Sequence, residues 1–136
     1  LLASSAASDV YKRQEQNNAI YREQSLLVQE LAEKSDCVIV GRSADYILRD
    51  KKPLRLFIYA DMESRMERCR KRAPEQEHFT DKELRRHIQD VDKRRSKYYQ
   101  FFTGQTWGEK LNYDLCINTS GANIEDLVKV IAKLVK

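Results

Sequence analysis

The sequence predicts a three-layer α/β fold, in which helices flank both faces of a parallel sheet. Three short apolar segments, at 37–40, 54–60 and 113–117, alternate with longer segments whose apolar residues recur at helical spacing. Strands that alternate with helices are joined by crossovers, which make neighbouring strands parallel. The chain has 136 residues, so we expect one domain or part of one.

The first predicted elements are a helix and a strand. Apolar residues between Gln16 and Lys34 predict an amphipathic helix with one buried face: Ile20, Leu27, Val28 and Leu31. Cys37–Val40 is a continuous apolar run, typical of a buried strand, and Gly41 ends it. Arg42 then puts a fixed positive charge at the carboxyl edge of the sheet, where open α/β folds bind ligands. We therefore expect an anion site there.

The middle of the chain predicts a second strand between helices. Ala44–Leu48 predicts a short helix, and Asp50–Pro53 a turn. Leu54–Ala60 predicts a strand, after which Asp61 caps a helix that runs to about Arg72. Three arginines share one face of this helix: Arg65, Arg68 and Arg72.

The last third predicts two more helices around a third strand. Thr80 caps a helix from Asp81 to about Tyr99. Tyr98–Gly108 reads as an aromatic-rich loop, for which core packing is favoured over base stacking. Tyr113–Ile117 predicts a strand, Asn118–Gly121 a turn, and Ile124–Val135 a helix whose inward residues are Leu127, Val130, Ile131 and Leu134.

Composition narrows the class of protein. No apolar stretch approaches the roughly 18 residues of a membrane span, so we expect a cytoplasmic protein that does not enter membranes. Cys37, Cys69 and Cys116 are odd in number, which favours buried, reduced thiols, and their spacing does not predict a metal site. Residues 62–99 hold twelve Lys/Arg against eight Asp/Glu and so contain the whole net charge of +4. A solvated helix face and an anion-binding surface both fit this excess.

Two features suggest that the beginning of the domain is missing. Residues 1–14 lead into no core pattern, and residues 5–14 resemble the translation of sequencing-adapter bases, so we interpret 1–14 as a non-native leader. The motif G-x-x-x-x-G-K-[ST], which cradles the phosphates of a nucleoside triphosphate, does not occur in the chain. A truncated upstream end explains both observations, and evolutionary loss of the loop remains the alternative.

Five segments together resemble the cytidylate kinase-like family, a branch of the P-loop nucleoside monophosphate kinases: Asp36–Arg42, Leu56–Ala60, Arg65–Arg68, Ile88–Arg95 and Tyr113–Thr119. The resemblance runs from about Gln16 to Lys136, so residues 15–136 would be the C-terminal portion of a P-loop kinase-like domain that lacks its N-terminal P-loop strand. The intact protein would use ATP and Mg²⁺ to phosphorylate a nucleoside monophosphate such as CMP. This chain alone would be inactive.

The resemblance also implies roles for particular residues. Catalysis would rest on Arg42, Arg94 and Arg95, because guanidinium groups converging on a transferring phosphoryl group stabilise its charge. The acceptor would be bound by Gly41, Arg42 and Asp45. ATP would be bound by Arg68, Arg72, Asn118 and Thr119. Asp92 would hold the two lid arginines, Arg94 and Arg95, in place.

Alternatives remain open for the acceptor base and for the class of function. Cytidylate kinases proper follow Gly-Arg with an aspartate, whereas this chain has Ser43 and only later Asp45, so the acceptor need not be a pyrimidine nucleotide. A non-catalytic regulatory protein could keep the fold without the phosphate loop. A nucleic-acid-binding module, which the acids in the basic segment disfavour, would use a set of cations and rings: Arg85, Arg86, Arg94, Arg95, Tyr98 and Trp107.

Overall fold

The computed structural model describes residues 2–74 and 78–135. The chain divides into two compact units, the first ending at Pro53 and the second beginning at Leu54. Each unit has its own small apolar core.

The first unit consists of a long helix and a short one. Helix α1 spans Leu2–Lys34, helix α2 spans Ala44–Ile47, and one 3₁₀ turn follows at Arg49–Lys51. The core joins Val28 of α1 to Ala44 and Leu48. The prediction that α1 begins at Gln16 is wrong, because the helix continues without a break through residues 2–15, which include good helix formers such as Ala, Gln, Lys and Arg.

The predicted buried face of α1 is only partly confirmed. Val28 is buried, whereas three other members of the predicted stripe are exposed: Ile20, Leu27 and Leu31. A helix buries its apolar stripe only where another element covers it, and in this unit the short α2 covers one turn of α1.

The predicted first strand is wrong. Residues 36–40 form no strand, because a strand exists only through hydrogen bonds to a neighbour and no segment of 2–74 or 78–135 pairs with them. Ile39 packs against the core of the first unit. Its neighbours Val38 and Val40 are 94% and 86% exposed, so they are not buried as the prediction required.

The second unit contains the two strands of the described sheet. Strand β1 (Leu56–Tyr59) pairs in parallel with strand β2 (Leu115–Asn118), and the register sets Leu56 opposite Leu115 and Tyr59 opposite Asn118. The parallel sheet is confirmed as a class, which makes the chain a mixed α/β protein. It has two strands within the described residues, in place of the three that the sequence predicts.

Three helices accompany this sheet in the second unit: α3 (Met62–Arg72), α4 (Asp81–Thr103) and α5 (Ile124–Ala132). Both predicted caps are confirmed. Asp61 accepts a hydrogen bond from Ser64 N, and Thr80 accepts one from Glu83 N. The core consists of Met66 of α3 with Leu84 and Ile88 of α4.

The aromatic segment is divided between α4 and the loop that follows it. Tyr98–Thr103, predicted as loop, continue α4 until Gly104 ends the helix at φ 70°. Trp107 packs edge-on against Phe57 of β1, with ring centroids 5.3 Å apart, and Tyr113 lies 4.9 Å from the same ring. Trp107 therefore packs against the sheet, but it is half-buried and belongs to neither core cluster of the described residues.

Helix α5 and the cysteines are more exposed than predicted. No residue of α5 is buried, and Val130 is exposed, as is Leu134 just beyond the helix. All three cysteines are free, as predicted, but all three are exposed, so the prediction of buried thiols is wrong. Among the described helices, none combines the length and apolar character needed to cross a bilayer.

Candidate functional site

The predicted site residues fall in both units. Gly41, Arg42 and Asp45 belong to the first unit. The others belong to the second unit: Arg68, Arg72, Arg94, Arg95, Asn118 and Thr119. The two groups are therefore described separately.

The segment Gly41–Ser43 has an unusual backbone conformation. Gly41, Arg42 and Ser43 have φ values of 69°, 61° and 53°, all in the left-handed region. Glycine adopts this region freely, but each of the two residues that follow carries a steric cost. The sequence revealed the glycine and gave no sign that Arg42 and Ser43 would share its conformation.

The side chains in this segment differ in their surroundings. Arg42 is exposed, and residues 2–74 and 78–135 provide it with no hydrogen bond or ion pair, so its guanidinium is available to an anion. Ser43 is 6% exposed, and its hydroxyl finds no hydrogen-bond partner in the same part of the chain. Asp45 lies in the first turn of α2 and is half-buried.

A two-point ion pair joins α3 to α4 in the second unit. The Nη1 and Nη2 atoms of Arg65 donate to the two carboxylate oxygens of Asp92, at 2.8 and 2.6 Å. The hydrogen bond to Asp92 raises the pKa of Arg65 above its ordinary value. Asp92 was predicted to hold Arg94 and Arg95 in place, whereas in the structure its carboxylate binds Arg65.

Arg68 and Thr119, both predicted to contact ATP, bind each other. Nη1 of Arg68 donates to the Thr119 hydroxyl at 2.9 Å, and Nη2 donates to the Thr119 carbonyl oxygen at 2.6 Å. Arg68 lies on α3, and Thr119 directly follows β2 at the carboxyl end of the sheet. Two of the five N–H groups of this guanidinium are therefore engaged by the protein itself.

The other predicted residues of the second unit are at the surface. Arg72, Arg94 and Arg95 are exposed, and the described part of the chain offers these side chains no hydrogen bond or ion pair. Asn118 is also exposed, and its Oδ1 accepts a hydrogen bond from Ser120 N at 2.9 Å. The three cations are thus open to solution.

Sequence reasoning missed a contact between Asp61 and Ser120 at the carboxyl end of the sheet. Asp61 N donates to the Ser120 hydroxyl at 2.7 Å, which ties the start of α3 to the turn after β2. The Ser64 N–H lowers the pKa of Asp61, with a smaller contribution from the positive charge of Arg68. The helix cap signalled Asp61, but no local pattern signalled its contact with Ser120, 59 positions later.

The groups proposed for nucleic-acid binding are partly occupied. Arg85 donates to Glu63 at 2.8 Å, and the Trp107 ring packs against Phe57. A ring that stacks on a base must present an open face, and an arginine that binds phosphate must give up its carboxylate. These two contacts count against a nucleic-acid-binding surface.

Polar side chains follow both parallel strands, Asp61 after β1 and Thr119 with Ser120 after β2, at the sheet edge where α/β proteins bind ligands. The profile of the cytidylate kinase-like family matches residues 1–121. The chain therefore belongs to the cytidylate kinase-like family, which confirms the resemblance on which the site predictions rest. The match includes residues 1–14, and their interpretation as a non-native leader stays a prediction.

The fold is similar to that of a solved structure. The chain is similar to a crystal structure of an uncharacterized protein from Eubacterium ventriosum, with 28% identity and a TM-score of 0.76. The similarity covers 85% of this chain and 64% of that protein, so this chain spans less than two thirds of the length of its relative. A comparison with curated proteins gave no match.

Proposed function

We propose that the protein to which this chain belongs is a cytoplasmic nucleoside monophosphate kinase, which transfers the γ-phosphoryl group of ATP to a (deoxy)nucleoside monophosphate such as CMP. The observation that carries the proposal is the family match over residues 1–121, which include every predicted site residue. Kinases of this class work by positioning the two nucleotides and by neutralising charge, without a covalent intermediate.

Arginines would supply the positive charge. Arg42 would bind the acceptor monophosphate with Gly41 and Asp45, while Arg94 and Arg95 would close over the transferring group. Support comes from their exposure and from the absence of competing carboxylates among the described residues, since a guanidinium already bound in an ion pair is less available to phosphate. Arg72 would assist in binding ATP.

Mg²⁺ would arrive with the phosphates of ATP. This ion keeps several of its waters and binds substrate phosphates through one or two carboxylates in place of a cage of protein ligands. When bound, Mg²⁺ neutralises charge that develops on the phosphate oxygens.

The complete protein would contain a phosphate loop upstream of this chain. Its fold would have three layers, a parallel sheet with helices on both faces. Residues 36–40 would pair with the additional strand, which would explain their exposed valines. The present chain has no G-x-x-x-x-G-K-[ST] motif, so we expect it to show no turnover by itself.

A phosphoryl-transfer assay tests the proposal on the protein with its authentic upstream sequence. ATP and Mg²⁺ are supplied with CMP, dCMP, UMP, AMP or GMP in turn. We expect turnover with one acceptor, abolished by Arg42→Ala and unaffected by Arg22→Ala, which removes an exposed arginine from α1. A folded protein with an intact phosphate loop and no turnover with any acceptor would contradict the kinase and favour the regulatory alternative.

A further inference from the structure

Ion pairs with α3 engage half of the acids on α4. Helix α4 holds seven Lys/Arg and four Asp/Glu. Asp92 binds Arg65 of α3, and Asp81 binds Arg70 of the same helix. The other two acids are exposed, and residues 2–74 and 78–135 offer them no ion-pair partner: Glu83 and Asp90. Few acids of α4 therefore remain to neutralise its own cations.

Most cations of α4 are unpaired. Arg85 binds Glu63 of α3. The other six are exposed and form no ion pair or hydrogen bond with the described part of the chain: Lys82, Arg86, Lys93, Arg94, Arg95 and Lys97. Six unpaired cations against two unpaired acids give this helix a local excess of positive charge.

Four of these cations form a stripe, which we call the outer stripe: Lys82, Arg86, Lys93 and Lys97. Successive members are four, seven and four residues apart, which keeps them on one side of a helix. That side lies opposite the buried residues Leu84, Ile88 and Tyr99. With a rise of about 1.5 Å per residue, the stripe is about 22 Å long. It therefore faces solvent, away from the core of the second unit.

The outer stripe is suited to act at a distance. Its side chains are exposed and unbonded within the described residues, so they are not fixed in an arrangement that would hold a ligand. Their charges act through solvent over about 8 Å at physiological ionic strength and about 30 Å at 0.01 M salt. A surface with an excess of one charge raises the local concentration of oppositely charged solutes and speeds their association.

We propose that the outer stripe steers anionic nucleotides to the second unit, and so raises their association rate without contacting them once they are bound. The proposal rests on the proposed function, because ATP and a nucleoside monophosphate are the anions that the stripe would attract. It gives the charge excess of residues 62–99 a role that requires neither base stacking nor a phosphate pocket on the outer side of α4.

A steering cation and a contacting cation affect different rate constants. Removing a steering charge lowers the association rate constant, and high salt abolishes the difference because counter-ions screen the field. Removing a contact raises the dissociation rate constant. Stopped-flow measurements over a range of salt concentrations therefore separate the two roles.

The field of the stripe can be measured on this chain without a nucleotide. Anionic and cationic nitroxides of similar size broaden amide NMR signals according to the local potential. At 0.01 M salt we expect the anionic probe to broaden the amides of residues 93–97 about two- to fivefold more than the cationic probe. The double variant Lys93→Gln, Lys97→Gln should reduce this ratio. Equal broadening by both probes would overturn the proposal.

Stopped-flow binding of N-methylanthraniloyl-ATP to the protein with its authentic upstream sequence tests the steering step. At 0.01 M salt we expect the double variant to associate about two- to fivefold more slowly than the native protein, with an unchanged dissociation rate, and the two to agree at 1 M salt. Lys129→Gln with Lys133→Gln is the matched control, since it removes an equal exposed charge from α5 and should have a smaller effect.

Asp90→Asn provides a test of opposite sign, because it removes an acid from the side of α4 that carries the stripe and should speed association about 1.5- to 2-fold. A variant that only destabilised α4 would not bind faster. Equal slowing in the α5 control, or a change confined to the dissociation rate, would overturn the steering role. A complete protein that does not bind the ATP analogue contradicts the proposed kinase itself, whereas binding with equal association rates in all variants contradicts the steering alone.

Discussion

The guanidinium of Arg65 and the carboxylate of Asp92 meet through two parallel hydrogen bonds of 2.8 and 2.6 Å, and so connect α3 with α4. The two side chains are half-buried beside the small core that Met66 forms with residues of α4. A planar two-point pair of this kind fixes direction as well as distance. We infer that it sets the angle at which α4 carries its exposed arginines.

Removing either partner should loosen this connection. We expect Arg65→Ala to lower the free energy of unfolding by about 1 kcal/mol. This value lies at the upper end of the range for partly exposed ion pairs, because two hydrogen bonds are lost together. Arg65→Lys should recover little, since an ammonium group cannot form the fork. Urea unfolding followed by far-UV circular dichroism measures the change.

The control for this pair is Arg86→Ala, which removes an exposed arginine of α4 to which the described residues form no hydrogen bond. Its unfolding free energy should match that of the native chain. A double-mutant cycle with Asp92→Ala isolates the pair, and additive losses in that cycle would contradict the coupling.

Gly108 should tolerate substitution less well than Gly104. A Cβ atom on Gly108 would lie 3.2 Å from Cζ of Phe57, whereas one on Gly104 would meet nothing within 4 Å. Both residues have positive φ, so alanine costs about 1–2 kcal/mol of backbone strain at either position. Gly108→Ala adds the clash and should unfold at a lower urea concentration than Gly104→Ala. Equal midpoints would show that the Phe57 ring moves aside without cost.

Local sequence patterns correctly predicted the starts of α3 and α4, which depend on residues within one turn of each other. The cap residues Asp61 and Thr80 started α3 and α4 where expected, because a cap and its partner N–H lie within one turn. The strand predicted at 37–40 failed for the opposite reason. Its apolar run resembles a buried strand, but pairing depends on a neighbour that the pattern does not contain.

The same difference between local and long-range interactions applies to the candidate site. The family resemblance predicted Arg68 and Thr119 as separate ligands of ATP. They lie 51 positions apart in the chain, so their mutual contact could not be predicted from spacing. Asp92 was predicted to hold the lid arginines Arg94 and Arg95, whereas its partner is Arg65 on another helix. These contacts depend on how α3 packs against α4 and the sheet, which is a property of the fold.

Ser43 offers a test of stability in the first unit. Its hydroxyl is buried and unbonded within the described residues, and such a group costs about 1–3 kcal/mol of desolvation. We expect Ser43→Ala to raise the free energy of opening of α2 by about 1 kcal/mol, measured by slower amide exchange at Leu48, whose N–H is bonded to Ala44 O. Ser25→Ala is the control, since the Ser25 hydroxyl already donates to Tyr21 O at 2.7 Å and its loss should bring no gain. Slower exchange in both variants, or in neither, would contradict this account.

Acid should weaken the second unit through Asp114. Arg55 donates to this carboxylate from its guanidinium and, at 2.7 Å, from its backbone N–H. These bonds lower the pKa of Asp114 in the folded chain. The stabilisation is therefore fully present above the unfolded pKa of about 3.9, and it is lost as the pH falls through the lower folded pKa.

Asp114→Asn should remove part of this acid sensitivity. The variant should be less stable than the native chain at pH 7, and the difference should shrink as the pH falls below about 4. Some dependence of stability on pH should remain in this variant, because the pKa of Asp61 is also lowered in the folded chain. Asp90→Asn serves as the control, because this exposed carboxylate of α4 has no hydrogen bond within the described ranges. Urea unfolding at pH 7, 4 and 3, followed by Trp107 fluorescence, measures the effect, and a difference that stays constant with pH would show that Arg55 does not stabilise the charged form of Asp114.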